Sequence, residues 1–380
     1  MNKKELKRAW AEIHLDRLKN NISLCRERLD GRCGLICVVK ANCYGHGAEG
    51  VIPAMLEAGV DFFAVSNIIE AIELRELGVT GSILILGYTP PRNAPELIRY
   101  DIIQAITEYD YAAELCDCCP TGKTVRCHIA VDTGMSRIGI RSDSVLELRD
   151  TCLRIAALGG ISAEGIFTHL SVADSDKPED IAYTRDQIEL ICSLKAELDG
   201  AGSEIKAIHF LNSAGAMYHI DPRSDYARLG IVLYGLKPDY SRALGLGLEP
   251  VMELKACVSQ VKTVEAGVSV SYGRTFVTER ETRIATVSIG YADGYPRLLS
   301  NRARVLVRGQ EAKIIGRVCM DQLMIDVSGV PDVREGDVVT LFGRDGGLEI
   351  TADELADSYG SIGYELVCGI SQRVPRIYIN

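Results

Sequence analysis

The chain has 380 residues, 47% of them hydrophobic and 25% charged, with a formal net charge of −10. That is the composition of a globular protein, and the length favours two domains over one. Nothing basic is clustered enough to track phosphates, which excludes a nucleic-acid binder, and no window reaches the roughly 18 apolar residues of a membrane span. The charged start, "MNKKELKRAWAEIHLD", lacks an apolar stretch of signal-peptide length. Thirteen cysteines are scattered along the chain. Their one cluster, Cys116, Cys118 and Cys119, has no second Cys or His pair at zinc-ligand spacing, so no metal is expected. An odd count at irregular spacing also argues against a disulfide framework. Reduced cysteines in a cytoplasmic protein are the simpler reading.

In chain order, "RAWAEIHLD" alternates like a strand. From residue 34 to 237, short apolar runs then alternate with amphipathic stretches. The eight runs are Leu35–Val39, Phe62–Ser66, Ser82–Gly87, Ile102–Thr107, Val125–Val131, Gly160–His169, Ile205–Asn212 and Ala227–Tyr234. Several of the helix-like segments between them end in Gly, as helix C-termini do. Eight repeats predict an N-terminal (β/α)8 barrel more than an open doubly wound sheet. No G-x-G-x-x-G follows the first run, which lowers a dinucleotide-binding reading. After residue 247 the helical period fades into short strand-like pieces punctuated by Gly and Asp. The expected organisation is an α/β barrel over 11–245 and a mostly β domain over 246–380. The N-terminal strand, 8–15, joins the β domain, and "RALGLGLEP", 242–250, is the expected linker.

Catalytic groups of barrels sit at the C-terminal ends of strands. Lys40 ends the first run, Arg137 follows the fifth and His169 ends the sixth. Asn212 and Ser213 close the seventh, and Arg228, Gly230 and Ile231 lie in the eighth. Each alone is weak, since a strand-end lysine is usually a solvated rim residue. Together they put an amine, an imidazole, a hydroxyl and a guanidinium on one rim. A desolvated amine is a nucleophile that forms Schiff bases with carbonyls. Pyridoxal phosphate (PLP) is the common carbonyl cofactor, and "NSAG" and "RLGIVLYG" offer a hydroxyl and backbone N–H groups where barrels often bind phosphate.

"VVKANCYGHG" closely resembles the PLP-lysine motif of the alanine racemase family. "VDTGMSRIG", "THLSVAD", "NSAGA", "RLGIVLYGL", "VSYGRTF", "IGYADGYPR", "GRVCMDQLMIDV" and "ISQRVPRIY" follow in the family's order. The resemblance implies a PLP barrel, a C-terminal β domain and a head-to-tail homodimer with shared sites. It makes Lys40 the Schiff-base lysine. Tyr44, Ser213, Gly230 and Ile231 would meet the phosphate, with Asn212 beside them. His169 would lie against the ring, and Arg228 would bond the pyridine nitrogen and keep it unprotonated. Tyr272, reaching in from the partner subunit, would be a second base opposite Lys40. Phenols lose their proton near pH ~10, so it would need help, with His169 the candidate. Arg137 and the Met320 N–H, beside Asp321, would hold the substrate carboxylate, and Tyr291 would gate the entrance. Without these motifs, Tyr272 reads only as a strand tyrosine.

Two positions depart from the family pattern. Ala130 stands where many members carry a lysine that becomes carbamylated and orients the carboxylate-binding arginine. Gln372 stands where tyrosine is usual. An amide with spare volume beside it would admit a hydroxymethyl group, so serine joins alanine as an expected substrate. Relatives that racemise serine in glycopeptide resistance carry such a domain fused to a membrane domain. A chain of that type would work at the membrane's cytoplasmic face rather than free in the cytoplasm. Supply of D-amino acids for peptidoglycan is the implied role. The rivals are a PLP-dependent decarboxylase, a PLP carrier without robust turnover, and a non-enzymatic interaction protein.

Overall fold

The computed structural model describes residues 8–31, 33–239 and 245–380. They form two compact units. One holds Ile22–Cys43 and Ala48–Leu233. The other holds the described residues up to Asn21, Tyr44–Gly47 and the described residues from Tyr234 on. Part of the expected linker, 242–244, lies outside the described residues, and 245–250 carries no helix or strand.

The first strand is β1 (Ala9–His14). In the first unit follow β2 (Gly34–Val38), β3 (Phe62–Val65), β4 (Ser82–Ile85), β5 (Ile103–Ile106), β6 (Val125–Ala130), β7 (Ile161–Phe167), β8 (Ala207–His209) and β9 (Tyr226–Leu229). They are parallel neighbours in the order β8-β7-β6-β5-β4-β3-β2-β9. The circle closes where Leu211 bridges Ala227 and the Arg228 N–H reaches the Leu211 carbonyl at 2.8 Å. This is the eight-stranded barrel that the alternation predicted. Strands covered on both faces have no polar side to show, so runs such as Phe62–Val65 are buried at every position. The expected runs overshoot the strands, because their buried character continues into the turns at the rim. Lys40 thus lies two residues past β2 and His169 two past β7, while Asn212 and Ser213 begin a short helix, Ser213–Tyr218.

The second unit contains β10 (Met252–Val264), β11 (Ser269–Val270), β12 (Phe276–Val277), β13 (Thr282–Val287), β14 (Arg304–Val307), β15 (Gln310–Ile314), β16 (Leu323–Asp326), β17 (Val338–Asp345), β18 (Leu348–Ile350) and β19 (Arg376–Ile379). Among the described residues, one sheet runs β18-β17-β14-β15-β16-β13-β10-β1-β19, and a β10–β17 pairing curls it into a closed barrel. Irregularities at Leu254/Lys255 and Val258/Gln260 let β10 pair with β1, β13 and β17. β1 adds antiparallel to β10 and parallel to β19. Lys255 anchors it by contacting Glu12 at 2.6 Å and Glu253 at 3.2 Å.

None of the thirteen cysteines is in a disulfide. No described helix is long and apolar enough to cross a membrane.

The α/β barrel's interior is not wholly apolar. His128 of β6 and His209 of β8 are buried, with Nδ1 of the first 2.7 Å from Nε2 of the second, and Phe167 stacks on His209 at 5.0 Å. Burial, with nearby arginine charge adding to it, pushes His128 down to about 4 and His209 well below its ordinary value. Both rings are therefore neutral when folded, yet they charge in the unfolded chain below pH ~6.5. Their contribution to stability is complete above that pH and is lost as the pH falls toward 4. We expect the urea midpoint of the cofactor-free protein to drop over this window and to drop less steeply in His128→Gln. Equal slopes for the two proteins would contradict the assignment.

Candidate active site

Lys40 opens a turn that L-residues rarely adopt. Ala41, Asn42, Cys43 and Tyr44 all have φ between 51° and 55°, a left-handed helical turn without glycine. At ~1–2 kcal/mol per residue this conformation must be offset by specific contacts. Asn42 Oδ1 accepts from the Ala48 N–H at 2.7 Å, and the Cys43 N–H donates to the Val39 carbonyl at 2.9 Å. One carboxylate oxygen of Glu70 accepts from the Ala41 N–H and the other from the Ser66 N–H, both at 2.8 Å. On the far side, Tyr44 is buried against the rings of Tyr234 and Tyr364. Arg376 bonds the Gly45 carbonyl at 2.9 Å, and a Cβ at Gly45 would collide with the Val367 carbonyl.

Arg228, 3% exposed, is the hub of the barrel unit's rim. Its Nη1 donates to His209 Nδ1 at 2.7 Å and to the His209 carbonyl at 2.9 Å. Its Nη2 donates to the Thr168 carbonyl at 2.6 Å and lies 3.4 Å from His169 Nδ1. The guanidinium covers the Phe167 ring at 5.3 Å. Burial pushes Arg228 down to about 9, which leaves it charged at neutral pH. Because Arg228 donates to Nδ1 of His209, that ring must carry its proton on Nε2 and donate onward to His128. His169 lies between two donors, since the Asn212 amide nitrogen is 3.4 Å from its Nε2. Burial and the charges of Arg228, Arg137 and Lys40 push His169 down to about 3, so it is neutral. These three cations and Asn212 therefore surround one imidazole.

Ser213 Oγ accepts from the Gly230 N–H at 3.1 Å. The N–H groups of Ser213 and Ile231, both buried residues, meet no acceptor among the described residues. Buried donors are almost always paired. Two orphans beside a serine hydroxyl suit an anionic oxygen cluster such as a phosphate, and Lys40 and Arg228 suit the carbonyl carbon and the ring nitrogen of PLP. The residues present fit that cofactor.

Arg137 is exposed, in a loop built by Asp132, whose Oδ1 accepts from the N–H groups of Gly134 and Ser136 at 3.0 and 2.9 Å. Ala130 is packed in a buried cluster with Ala105 and Phe167, flanked by Leu86. Its methyl offers no charge with which to orient Arg137.

In the second unit, Tyr272 does not lie on a strand. It starts a 3-10 turn after β11 and is 71% exposed. Ser271 before it has φ 65° and ψ −176°, a region essentially reserved for glycine. Its hydroxyl donates to the Arg317 carbonyl at 2.6 Å and holds that conformation. Tyr291 and Met320 are also exposed. The Tyr291 N–H donates to the Cys319 carbonyl and the Ala292 N–H to the Met320 carbonyl, each at 3.0 Å. The Met320 N–H has no acceptor among the described residues. Asp321 pairs with Arg373 at 2.7 Å, next to Gln372, which is exposed and makes no hydrogen bond among the described residues.

The structure thus gathers Lys40, Arg137, His169, Asn212, Ser213, Arg228, Gly230 and Ile231 on one barrel rim. It places Tyr291, Met320, Asp321 and Gln372 on linked loops of the β unit, with Tyr272 beside them through Ser271. Sequence reasoning missed Glu70, Thr168, His128, His209 and Asp293. Only Glu70 left a signal, as the last residue of Asn67-x-x-Glu70, the pattern of a helix N-terminus.

Comparison with known proteins agrees over the whole chain. The alanine racemase N-terminal domain family matches residues 13–238, and the C-terminal domain family matches 251–378. The alanine racemase of Clostridium perfringens is 44% identical over 371 residues, covering 97% of this chain and 95% of the relative. Alanine racemase 1 of Clostridium acetobutylicum is 42% identical over 380 residues, covering 99% and 96%. The crystal structure of the Bacillus anthracis alanine racemase with bound L-Ala-P superposes with a TM-score of 0.91 at 36% identity, covering 98% and 95% of the two chains. The crystal structure of alanine racemase from E. faecalis gives a TM-score of 0.91 at 36% identity, covering 98% of each chain. With the barrel, the β unit and the rim residues in place, these matches show that the chain belongs to the alanine racemase family, whose cofactor is pyridoxal phosphate.

Proposed function

We propose that this protein interconverts the enantiomers of alanine, and also those of serine, by proton transfer at both faces of Cα. The observation that carries the reading is neutral His169, which meets buried, charged Arg228 and feels the charge of Lys40, with the unpartnered N–H groups of Ser213 and Ile231 on the same rim. When bound, PLP supplies a carbonyl for an amine and an electron-withdrawing ring that acidifies the Cα–H bond. The N–H groups of Ser213 and Ile231, with Gly230 and the Tyr44 hydroxyl, would hold its phosphate, and Asn212, 3.4 Å from His169, would steady that imidazole against its ring. Arg228 would meet the ring nitrogen and, as a permanent cation, would keep it unprotonated, which would temper the electron sink and disfavour side reactions. Lys40 Nζ removes or delivers a proton on one face of Cα, and the Tyr272 hydroxyl of a second copy of the chain does the converse on the other. Each turnover exchanges the protonation states of the two bases. Arg137 and the free Met320 N–H hold the substrate carboxylate, and Tyr291 lines its approach. Cysteines outside disulfides suit work in the cytoplasm, and D-alanine for peptidoglycan is the corresponding product.

Three outcomes test this reading. Lys40→Ala should abolish racemisation and the borohydride-reducible cofactor absorbance while the circular dichroism spectrum stays native. Full activity in that variant would sink the reading. If the second base comes from another copy, mixing inactive Lys40→Ala and Tyr272→Phe proteins should restore part of the activity, because each mixed dimer has one complete site. No recovery from demonstrated mixed dimers would rule out a shared site.

Substrate choice rests on Gln372, whose free amide can bond the serine hydroxyl. An unpartnered buried hydroxyl costs about 1–3 kcal/mol, or one to two decades in specificity. Gln372→Tyr should therefore lower kcat/KM for serine by about tenfold and change alanine less. Equal losses for both substrates, or no serine turnover by the unaltered protein, would remove Gln372 as the determinant.

A further inference from the structure

The loops that carry Tyr291, Met320 and Gln372 converge on one carboxylate that the mechanism above does not use. Asp293 has no exposed side-chain surface. Its Oδ1 meets Arg8 Nη2 at 2.5 Å and Arg373 Nε at 3.7 Å, and its Oδ2 accepts from the Gly290 N–H at 3.0 Å. Its carbonyl accepts from the Ser371 N–H at 3.0 Å. The two arginines extend the connection. Arg8 Nη1 donates to the Ser288 carbonyl at 2.7 Å and reaches the Asp321 carbonyl at 3.5 Å, while Arg373 Nη2 bonds Asp321 Oδ1 at 2.7 Å. One buried charge therefore touches the turn holding Tyr291 and the segment holding Gln372, and through Arg8 and Arg373 it reaches the loop holding Met320 and Asp321.

A carboxylate out of water is tolerated only while its charged donors stay in place. That makes the arrangement all-or-none, unlike an exposed ion pair, which contributes little and holds nothing. Arg8 is part-exposed and comes from the far end of the sequence, so its role is to complete the charge balance rather than to fill a core. The backbone bonds between the loops, Tyr291 to Cys319 and Ala292 to Met320, align them in pairs. Asp293 with its arginines links these pairs to the 371–373 segment.

We infer that Asp293, with Arg8 and Arg373, is a positioning residue that sets the mutual placement of the substrate-contacting loops. It acts on substrate affinity and leaves proton transfer alone. The inference rests on the racemase reading of the same site. Asp293→Asn keeps the shape and the acceptor for Gly290 but removes the charge. Arg8→Gln removes one donor at a part-exposed position and guards against a folding defect in the first variant. In both holoenzymes, KM for alanine should rise about tenfold and kcat should stay within about twofold. The inhibition constant of propionate, which offers the carboxylate and methyl without the amine, should rise in parallel with KM. Arg8→Lys, which restores a cation, should recover part of the affinity. Unchanged kinetics in both variants, or losses of kcat that merely track the folded fraction with propionate inhibition unaltered, would overturn the inference while leaving the racemase reading intact. Failure of the unaltered protein to racemise alanine would instead remove the reading and the inference together.

Discussion

The left-handed turn at residues 41–44 is the constraint on which the rest of the site depends. A lysine two residues past a buried strand could project in many directions. Here its backbone is fixed by a conformation that costs ~1–2 kcal/mol per residue and persists only because its surroundings over-determine it. The Glu70 carboxylate accepts from the Ala41 N–H, the Asn42 amide oxygen ties the turn to the Ala48 N–H, and Tyr44, Gly45 and Arg376 hold its far end. A similar device recurs at the other proposed base, where Ser271 occupies a glycine-like conformation directly before Tyr272. Strain next to both proposed proton-transfer groups suits sites that need fixed direction more than local stability.

Electrostatics supply the second constraint. Arg228 is a permanent charge inside a barrel, and neutral imidazoles and carbonyls surround it instead of a carboxylate. With no anion to absorb it, the charge is directed at whatever occupies the rim. It depresses His169 and fixes the tautomers of His209 and His128 in turn. The same buried histidines that organise the rim are the groups that make the barrel sensitive to acid. Function and stability therefore draw on one hydrogen-bond chain.

Much of this was legible in the sequence, for identifiable reasons. Strands buried on both faces leave continuous apolar runs, so all eight barrel strands could be counted, and Lys40 stood out as an amine where Val or Ile would fit. Ordered motifs placed Arg228, His169 and Tyr272. Conformation was far less visible. Ala, Cys and Tyr do not favour positive φ, and only Asn42 hinted at the turn. Tyr272 looked like a strand residue because "VSVSYG" alternates, yet Ser271 breaks the strand one residue earlier. His128 and Asp293 gave no signal. A histidine in a strand can face either way, and the Asp of "YADG" reads as an ordinary turn former until its burial is known.

In the proposed mechanism two different groups serve opposite faces of the substrate carbon. The most direct measurement follows hydrogen isotopes at Cα while the protein converts L-alanine in deuterated water. Two bases that exchange with solvent between turnovers predict that D-alanine formed early carries deuterium, while unreacted L-alanine keeps its protium. Early product that retains the substrate's own protium would show a single base carrying one proton across both faces, and would contradict the account.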